Sequence, residues 1–234
     1  LILVLLYFLV YLCIDNYYFQ QKNTDMKKVM LLVLGFLLGL NIIAQNEKPF
    51  YLGLYASPSV LWLQSDNNTV DASGSKLGFS YGLLADITLG DYYALASGLE
   101  ITQLGGTLSY QTGLAPVQQT VDYKLQYLEI PLALKMQTAS INNLSFFGRF
   151  GGGFGVRLDA KKDVNNTIIN QPASDEIHLL RAYFSVGGGV EYTVAYNTKI
   201  FAGIFYKNGL TNAFKQEDWS VKSNALSLNV GVIF

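Results

Sequence analysis

The sequence contains one cysteine, one histidine and five prolines in 234 residues. The cysteine, Cys13, sits in the first apolar stretch. The rest of the chain therefore has no disulfide framework, no thiol nucleophile and no cysteine to carry a lipid. With one histidine and no acids at ligand spacing, the sequence shows no metal constellation. The acid pairs Asp175-Glu176 and Glu217-Asp218 read as solvated loop tips. Charge is sparse and balanced, 16 Lys plus Arg against 17 Asp plus Glu, with no basic block, which argues against a nucleic-acid partner. Beyond residue 44 no apolar run approaches the roughly 20 residues of a membrane helix. Yet half the chain is hydrophobic and 14% is aromatic. Any part that crosses a membrane must do so as strands.

The N-terminal region carries signals of export. Lys27 and Lys28 follow Met26 as a charged n-region, Val29–Leu40 form an apolar h-region, and Ile42 and Ala44 hold positions −3 and −1 of a cleavage site before Gln45. Residues 26–44 are expected to be a cleaved signal peptide. Residues 1–25 precede it and read as an upstream mis-start segment, which leaves 45–234 as the exported domain.

In that domain eight segments alternate apolar and polar residues with period two: Phe50–Gln64, Leu77–Leu89, Tyr92–Gly105, Thr120–Gln137, Asn143–Leu158, His178–Val194, Thr198–Lys207 and Ser223–Phe234. Each reaches the roughly 9–11 residues of a tilted membrane strand. Long polar connections (Ser65–Lys76, Gly106–Gln119, Asp159–Ile177, Asn208–Lys222) alternate with short ones (Gly90-Asp91, Thr138–Asn142, Ala195–Asn197). That asymmetry is typical of outer-membrane barrels, with long loops outside and short turns in the periplasm.

The faces separate a membrane barrel from a soluble one. Leu128, Ile130, Leu132, Leu134 and Met136 share one face of the fourth segment, and Tyr127, Glu129, Pro131, Ala133 and Lys135 share the other. In the sixth segment Leu180, Ala182, Phe184, Val186, Val190 and Tyr192 oppose Arg181, Tyr183, Ser185, Gly187, Gly189 and Glu191. Aliphatics outside with charges and glycines inside suit a narrow lumen in lipid. The last ten residues repeat the pattern, placing Leu226, Leu228, Val230, Val232 and Phe234 on one face. The seventh segment is ambiguous: Phe201 and Phe205 point inward if Ile200, Ala202 and Ile204 point to lipid, so either rings fill the lumen or a bulge resets the alternation. Tyr51, Trp62, Tyr92, Tyr93, Tyr123, Tyr127, Tyr192 and Tyr206 lie near segment ends, as interfacial girdles would.

The run Tyr127-Leu128-Glu129-Ile130-Pro131-Leu132-Ala133-Leu134-Lys135 resembles a hallmark of the PorT-like outer-membrane β-barrel family of Bacteroidetes-type bacteria. The glycine-rich runs Phe150–Gly155 and Val186–Glu191, the run Tyr206–Asn212, and Ala44-Gln45 at the end of the signal peptide are similar to that family as well. The resemblance covers the whole exported domain and implies an eight-stranded barrel. The family's namesake takes part in protein secretion across the outer membrane, so the resemblance also points to partners in a secretion or envelope complex. These motifs specify architecture rather than activity.

Alternation puts Asp86, Glu100, Glu129, Lys135, Arg149, Arg157, Arg181, Glu191 and Lys207 in the lumen. Bare charges there would be costly, so a network of ion pairs is expected, centred on Glu129, Arg149, Arg181 and Glu191, with Glu100, Lys135 and Asp86 around it. The network is read as a structural plug. His178, with Ser174, Asp175 and Glu176 nearby, is the only candidate for a lipid-modifying catalytic group, and a loop-base role is the alternative. Gly151–Gly155 and Gly187–Gly189 lack the strand-to-helix turn of a dinucleotide fingerprint, so no cofactor is expected. Asn67-Asn68-Thr69 and Asn166-Thr167 suit exposed loops.

The reading is an all-β, eight-stranded antiparallel up-and-down transmembrane barrel in the outer membrane of a Gram-negative bacterium, surrounded by outer-membrane lipid. The expected function is non-enzymatic, structural or interaction-based. A small porin-like channel is the alternative, and a lipid-modifying enzyme a further one.

Overall fold

The computed structural model describes residues 50–65, 70–72, 74–112, 117–165, 167–195, 198–216 and 220–234. The expectations for residues 1–44, Asn67-Asn68-Thr69, Asn166, Glu217-Asp218 and the turn residues Tyr196 and Asn197 lie outside them. Among the described residues there are ten strands: β1 Phe50–Ser65, β2 Val70–Ala72, β3 Ser75–Gly90, β4 Tyr93–Thr112, β5 Val117–Gln137, β6 Leu144–Val164, β7 Ile168–Pro172, β8 Leu180–Ala195, β9 Thr198–Gly209 and β10 Val221–Ile233. All but β2 and β7 pair antiparallel in a closed ring, β1-β3-β4-β5-β6-β8-β9-β10 and back to β1. The described residues contain no helix. At the closing seam the Leu52 N–H donates to the Phe234 carbonyl (3.1 Å) and the Phe234 N–H returns the bond to Leu52 (2.7 Å).

The short turns follow their residues. Asn142 and Asn143 both adopt positive φ (51° and 67°), and Ile141 and Leu144 exchange backbone bonds of 2.8 and 3.0 Å around them. This is the two-residue hairpin that matches strand twist, and asparagine tolerates its left-handed backbone. Above the turns, Leu54, Leu83, Leu99, Ile130, Leu132, Phe150, Val186, Ile204, Leu228 and Val230 stand exposed in a continuous apolar belt. Phe201 and Phe205 are buried inside, and β8–β9 and β9–β10 keep their register past both, so rings fill the lumen and no bulge intervenes there.

Pro131 interrupts the β4–β5 ladder. It lacks an N–H, the β4–β5 register skips Gly98 and Leu99 opposite Pro131 and Ile130, and the Ser97 hydroxyl donates to the Pro131 carbonyl at 2.9 Å instead. Gly98 adopts φ +155°, with the Leu83 carbonyl oxygen 2.0 Å from where a Cβ would stand. Gly98→Ala is therefore expected to cost about 1–3 kcal/mol through backbone strain. Urea unfolding followed by gel mobility checks it, with Gly90→Ala as the control, since nothing lies within 4 Å of a Cβ at Gly90.

The strands on one side outrun the expected segments. The region 106–119, expected to be a loop, is largely strand, because β4 runs to Thr112 and β5 starts at Val117. Strand β6 likewise continues past Leu158 to Val164. With β2 on β4 and β7 on β6, these extensions form a sheet β2-β4-β5-β6-β7 beyond the apolar belt. Polarity inverts along it. Inward positions change from Glu100 and Glu129 to Leu104, Leu108, Leu125, Tyr123 and Val121, while outward ones change from Leu99 and Ile130 to Gln103, Gln126, Lys124 and Asp122. On β6 a bulge opposite Gln126/Tyr127 inserts one extra residue, so the faces swap parity after Leu158. The result is a water-facing sheet packed on its own apolar core, which contains Leu61, Leu63, Tyr123, Tyr127, Ile177 and Phe214.

Candidate functional site

The lumen is filled in layers, whose order follows β5. Tyr127 belongs to the apolar core at the loop end, Glu129 to an upper ion cluster, Lys135 to a lower one, and Gln137 to a vestibule at the turn end. In the upper cluster the fully buried Glu129 pairs with Arg181 through one oxygen and accepts from Lys207 Nζ at 3.0 Å through the other. Lys207 also donates to Glu100 at 2.7 Å, and the Tyr55 hydroxyl donates to the same carboxylate oxygen at 2.8 Å. Arg181 donates through Nε to the Ser223 hydroxyl at 3.1 Å. The Tyr183 ring lies beneath both cations, 4.9 Å from the Arg181 guanidinium and 5.0 Å from Lys207 Nζ. Gly153 leaves room for it, since a Cβ there would meet the Tyr183 hydroxyl at 2.5 Å.

The lower cluster alternates in sign. Lys135 Nζ lies 2.7 Å from Asp86 and 2.5 Å from Glu191, Arg149 stands 3.6 Å from Asp86, and Lys199 stands 3.6 Å from Glu191. Arg149 faces three rings, Phe147, Phe201 and Phe205, at 5.2, 5.7 and 5.9 Å, a cation–π setting for its guanidinium, whose Nε and Nη2 have no hydrogen-bond partner among the described residues. Gly187 makes way for the Phe205 ring, which a Cβ would meet at 2.4 Å. A cavity of about 50 Å³ separates the clusters, bounded by Tyr55, Glu100, Arg149, Tyr183, Lys207 and Asn229 among others.

The structure thus divides the expected single centre in two. Glu129 and Arg181 meet in the upper cluster with Glu100, while Arg149 and Glu191 lie below with Lys135 and Asp86. Lys207, outside the expected centre, bridges two carboxylates and is the hub of the upper one. Arg157 stands apart from both. Its guanidinium donates to the Ser174 carbonyl at 2.8 Å and to the Ile177 carbonyl, clamping the loop over the lumen. Of the expected girdle, Tyr92, Tyr93 and Tyr192 are exposed, and Trp62 stacks on Tyr206 at 6.0 Å. Tyr123 and Tyr127 are buried in the core at the loop end, and Tyr51 packs on the aromatic layer inside the lumen, because all three occupy inward positions.

At the loop end, the Tyr123 ring meets Phe214 edge-on at 4.7 Å and its hydroxyl donates to Glu176 at 3.1 Å. Burial and the neighbouring carboxylate hold that hydroxyl well above the usual phenol range, so it remains a donor. Glu176 also pairs with Lys162. His178 is exposed, and its backbone donates to the Ala213 carbonyl at 2.9 Å and accepts from Tyr127. Among the described residues, no contact joins its imidazole to Ser174 or Glu176, and no group of acids or His has the geometry of a metal site.

A closed antiparallel barrel with a lipid-facing apolar belt and charges in its lumen defines an outer-membrane β-barrel. The chain belongs to the outer membrane protein beta-barrel domain family, whose profile matches residues 43–215. It is an outer-membrane protein of the Gram-negative type. Among solved structures it is similar to Neisserial surface protein A, at 18% identity over 78% of this chain and 96% of that one, with a TM-score of 0.45. It is also similar to the attachment invasion locus protein Ail of Yersinia pestis (14% identity, 79% and 98% covered, TM-score 0.38) and to OprG of Pseudomonas aeruginosa (12%, 81% and 97%, TM-score 0.42). No curated protein sequence matches.

Proposed function

We propose that this protein is a non-enzymatic, non-conducting barrel with a structural or interaction role in the outer membrane. In this reading it is exported on the signal peptide at residues 26–44, is PorT-like, and serves a secretion or envelope complex through its outer sheet, loops and periplasmic turns. The observation that carries the closed lumen is its layered filling. An apolar core, the Glu100–Lys207–Glu129–Arg181 cluster, the Phe147–Phe201–Phe205 layer and the Asp86–Lys135–Glu191 cluster occupy successive levels. An eight-stranded barrel has just enough interior for such side chains. The exposed His178 and the commitment of Glu176 to Lys162 and Tyr123 support the absence of catalysis.

A small porin-like channel is the second reading, drawing on the polar cavity between the clusters. Single-channel recording of the protein in a planar bilayer separates the two, after heat-modifiable gel mobility has verified folding. Silence is the expected result. Reproducible current steps that change with Glu129→Gln would establish the channel instead. Cross-linking in intact cells, followed by identification of the captured proteins, tests the interaction role, which fails if the barrel is recovered alone.

A further inference from the structure

An apolar groove of about 690 Å³ crosses the lipid-facing wall on β10, β1, β3, β4 and β5. Its upper edge follows one register row, from Leu128 through Ile101, Tyr81 and Ala56 to Val230, and Leu54 and Leu83 belong to the row below. Ala56 is the smallest side chain of its row and leaves the groove open at the middle. The row runs obliquely to the membrane. On β5 and β4 the next outward residues toward the loop end are polar, Gln126 and Gln103, whereas on β10 Leu228 and Leu226 still intervene before Asn224. The groove therefore starts at the outer polar boundary and descends toward the bilayer centre. Four inter-strand steps of about 4.8 Å, inclined by a strand tilt of roughly 35–45°, lower it by about 11–14 Å, half of an apolar band about 25 Å tall. Tyr81 introduces one polar atom. Its direct outward neighbours, Phe79 and Leu83 on β3 and Ala56 and Ile101 across the ladders, are apolar, and its hydroxyl has no hydrogen-bond partner among the described residues.

We propose that this groove holds one acyl chain of an outer-leaflet lipid, with the carbonyl of the chain's ester or amide linkage accepting a hydrogen bond from the Tyr81 hydroxyl. The groove is continuous with the lipid-facing belt, which selects a membrane lipid over a soluble ligand. Its descent matches the depth of one leaflet. Tyr81 lies one row below Gln103, beneath the polar boundary, where the carbonyls of lipid chains stand and where a tyrosine ring sits well. A phenol left unpaired among hydrocarbon is costly, and the carbonyl removes that cost. At roughly 30 Å³ for a water-sized group, the groove takes up to about twenty chain carbons. Apolar area alone would not retain a lipid, since the surrounding tails are equally apolar. Close packing in the groove and the single hydrogen bond make this position different from the rest of the wall. The proposal is independent of the interaction role, because the groove faces lipid and not the loops or turns.

Native mass spectrometry tests it, on the full protein reconstituted in vesicles of palmitoyl-oleoyl phosphatidylcholine and transferred to a mild non-ionic detergent. One phosphatidylcholine per barrel is expected to survive the transfer. Ala56→Phe fills the groove and should reduce the retained fraction about tenfold or more. Tyr81→Phe keeps the ring, removes the hydroxyl and should weaken retention about threefold to tenfold, the effect of one hydrogen bond. Ala202→Phe makes the same change in size on the lipid face of β9, outside the groove, and should leave retention unchanged. The ether-linked analogue of the lipid lacks the carbonyl, so the parent and Tyr81→Phe should hold it equally weakly. If Ala56→Phe loses heat-modifiable mobility, Tyr81→Phe and the ether analogue decide. No retained lipid, undiminished retention in Ala56→Phe, equal loss in Ala202→Phe, an ether lipid held as tightly as the ester, or barrels emerging as lipid-free pairs would each overturn the proposal. The last result would assign the groove to a second copy of the chain.

Discussion

Lys207→Ala is expected to lower the unfolding free energy of the barrel by about 3–5 kcal/mol, the usual cost of removing one partner from a buried charge cluster. Glu100 and Glu129 are direct cross-strand partners in the β4–β5 register, both buried, and Lys207 donates to each. Without it two carboxylates face one another, with Arg181 on one and a tyrosine hydroxyl on the other. Like charges directly opposite across a ladder repel, and burial of both carboxylates strengthens the repulsion. The double variant Glu100→Gln with Lys207→Met discriminates between charge pairing and side-chain volume. It removes one charge of each sign and leaves the Glu129–Arg181 pair intact, so most of the loss should return. Urea titrations in micelles, read by gel mobility at low and high salt, provide the measurement. A neutral Lys207→Ala, or a double variant no better than the single one, would sink the account. Because the pair is shielded from solvent, the loss should change little with salt, unlike that of an exposed pair.

Legibility in the sequence followed the physical environment. Within the apolar belt one side of each strand meets lipid and the other a charged lumen, so period-two alternation is clean, and the eight strands were placed there within a few residues. Beyond the belt the signal fails for two reasons. On β4 the inward and outward preferences exchange near Thr102–Gln103, so Gly106–Thr112 reads as an irregular polar stretch although its backbone is still paired. On β6 the extra residue near Leu158 shifts the parity, and the expected strand ends at that bulge. Charges could be assigned to the lumen from alternation alone, whereas their grouping could not. Glu129 meets Arg181 and not Arg149 because of strand tilt and register, which no local pattern encodes. Lys207 was the least visible of these residues. Its strand carries Phe201 and Phe205 on the inner face, so both faces look apolar and the hub does not stand out.

Phe214→Ala should remove about 3–5 kcal/mol from the core at the loop end, with a consequence that differs from that of Lys207→Ala. Phe214 is buried edge-on against Tyr123, and the strands and loops around it are tied by the Ile177–Phe214 bridge, the Arg157 clamp and the Tyr123–Glu176–Lys162 contacts. All of these lie beyond the apolar belt, where the core is held together by the exclusion of water rather than by lipid. The variant should therefore loosen the outer loops and spare the barrel beneath. Limited proteolysis of intact cells should cut within residues 173–179 or 210–216 in the variant and not in the parent, while heat-modifiable mobility persists in both. Joint loss of mobility and loop protection would mean that the two halves fold as one unit. The variant also locates the seal of the lumen. The two ion clusters and the aromatic layer remain beneath the weakened core, so the variant is expected to stay silent in a planar bilayer. Current steps appearing in Phe214→Ala alone would place the seal in the outer core and reduce the ion clusters to a lining.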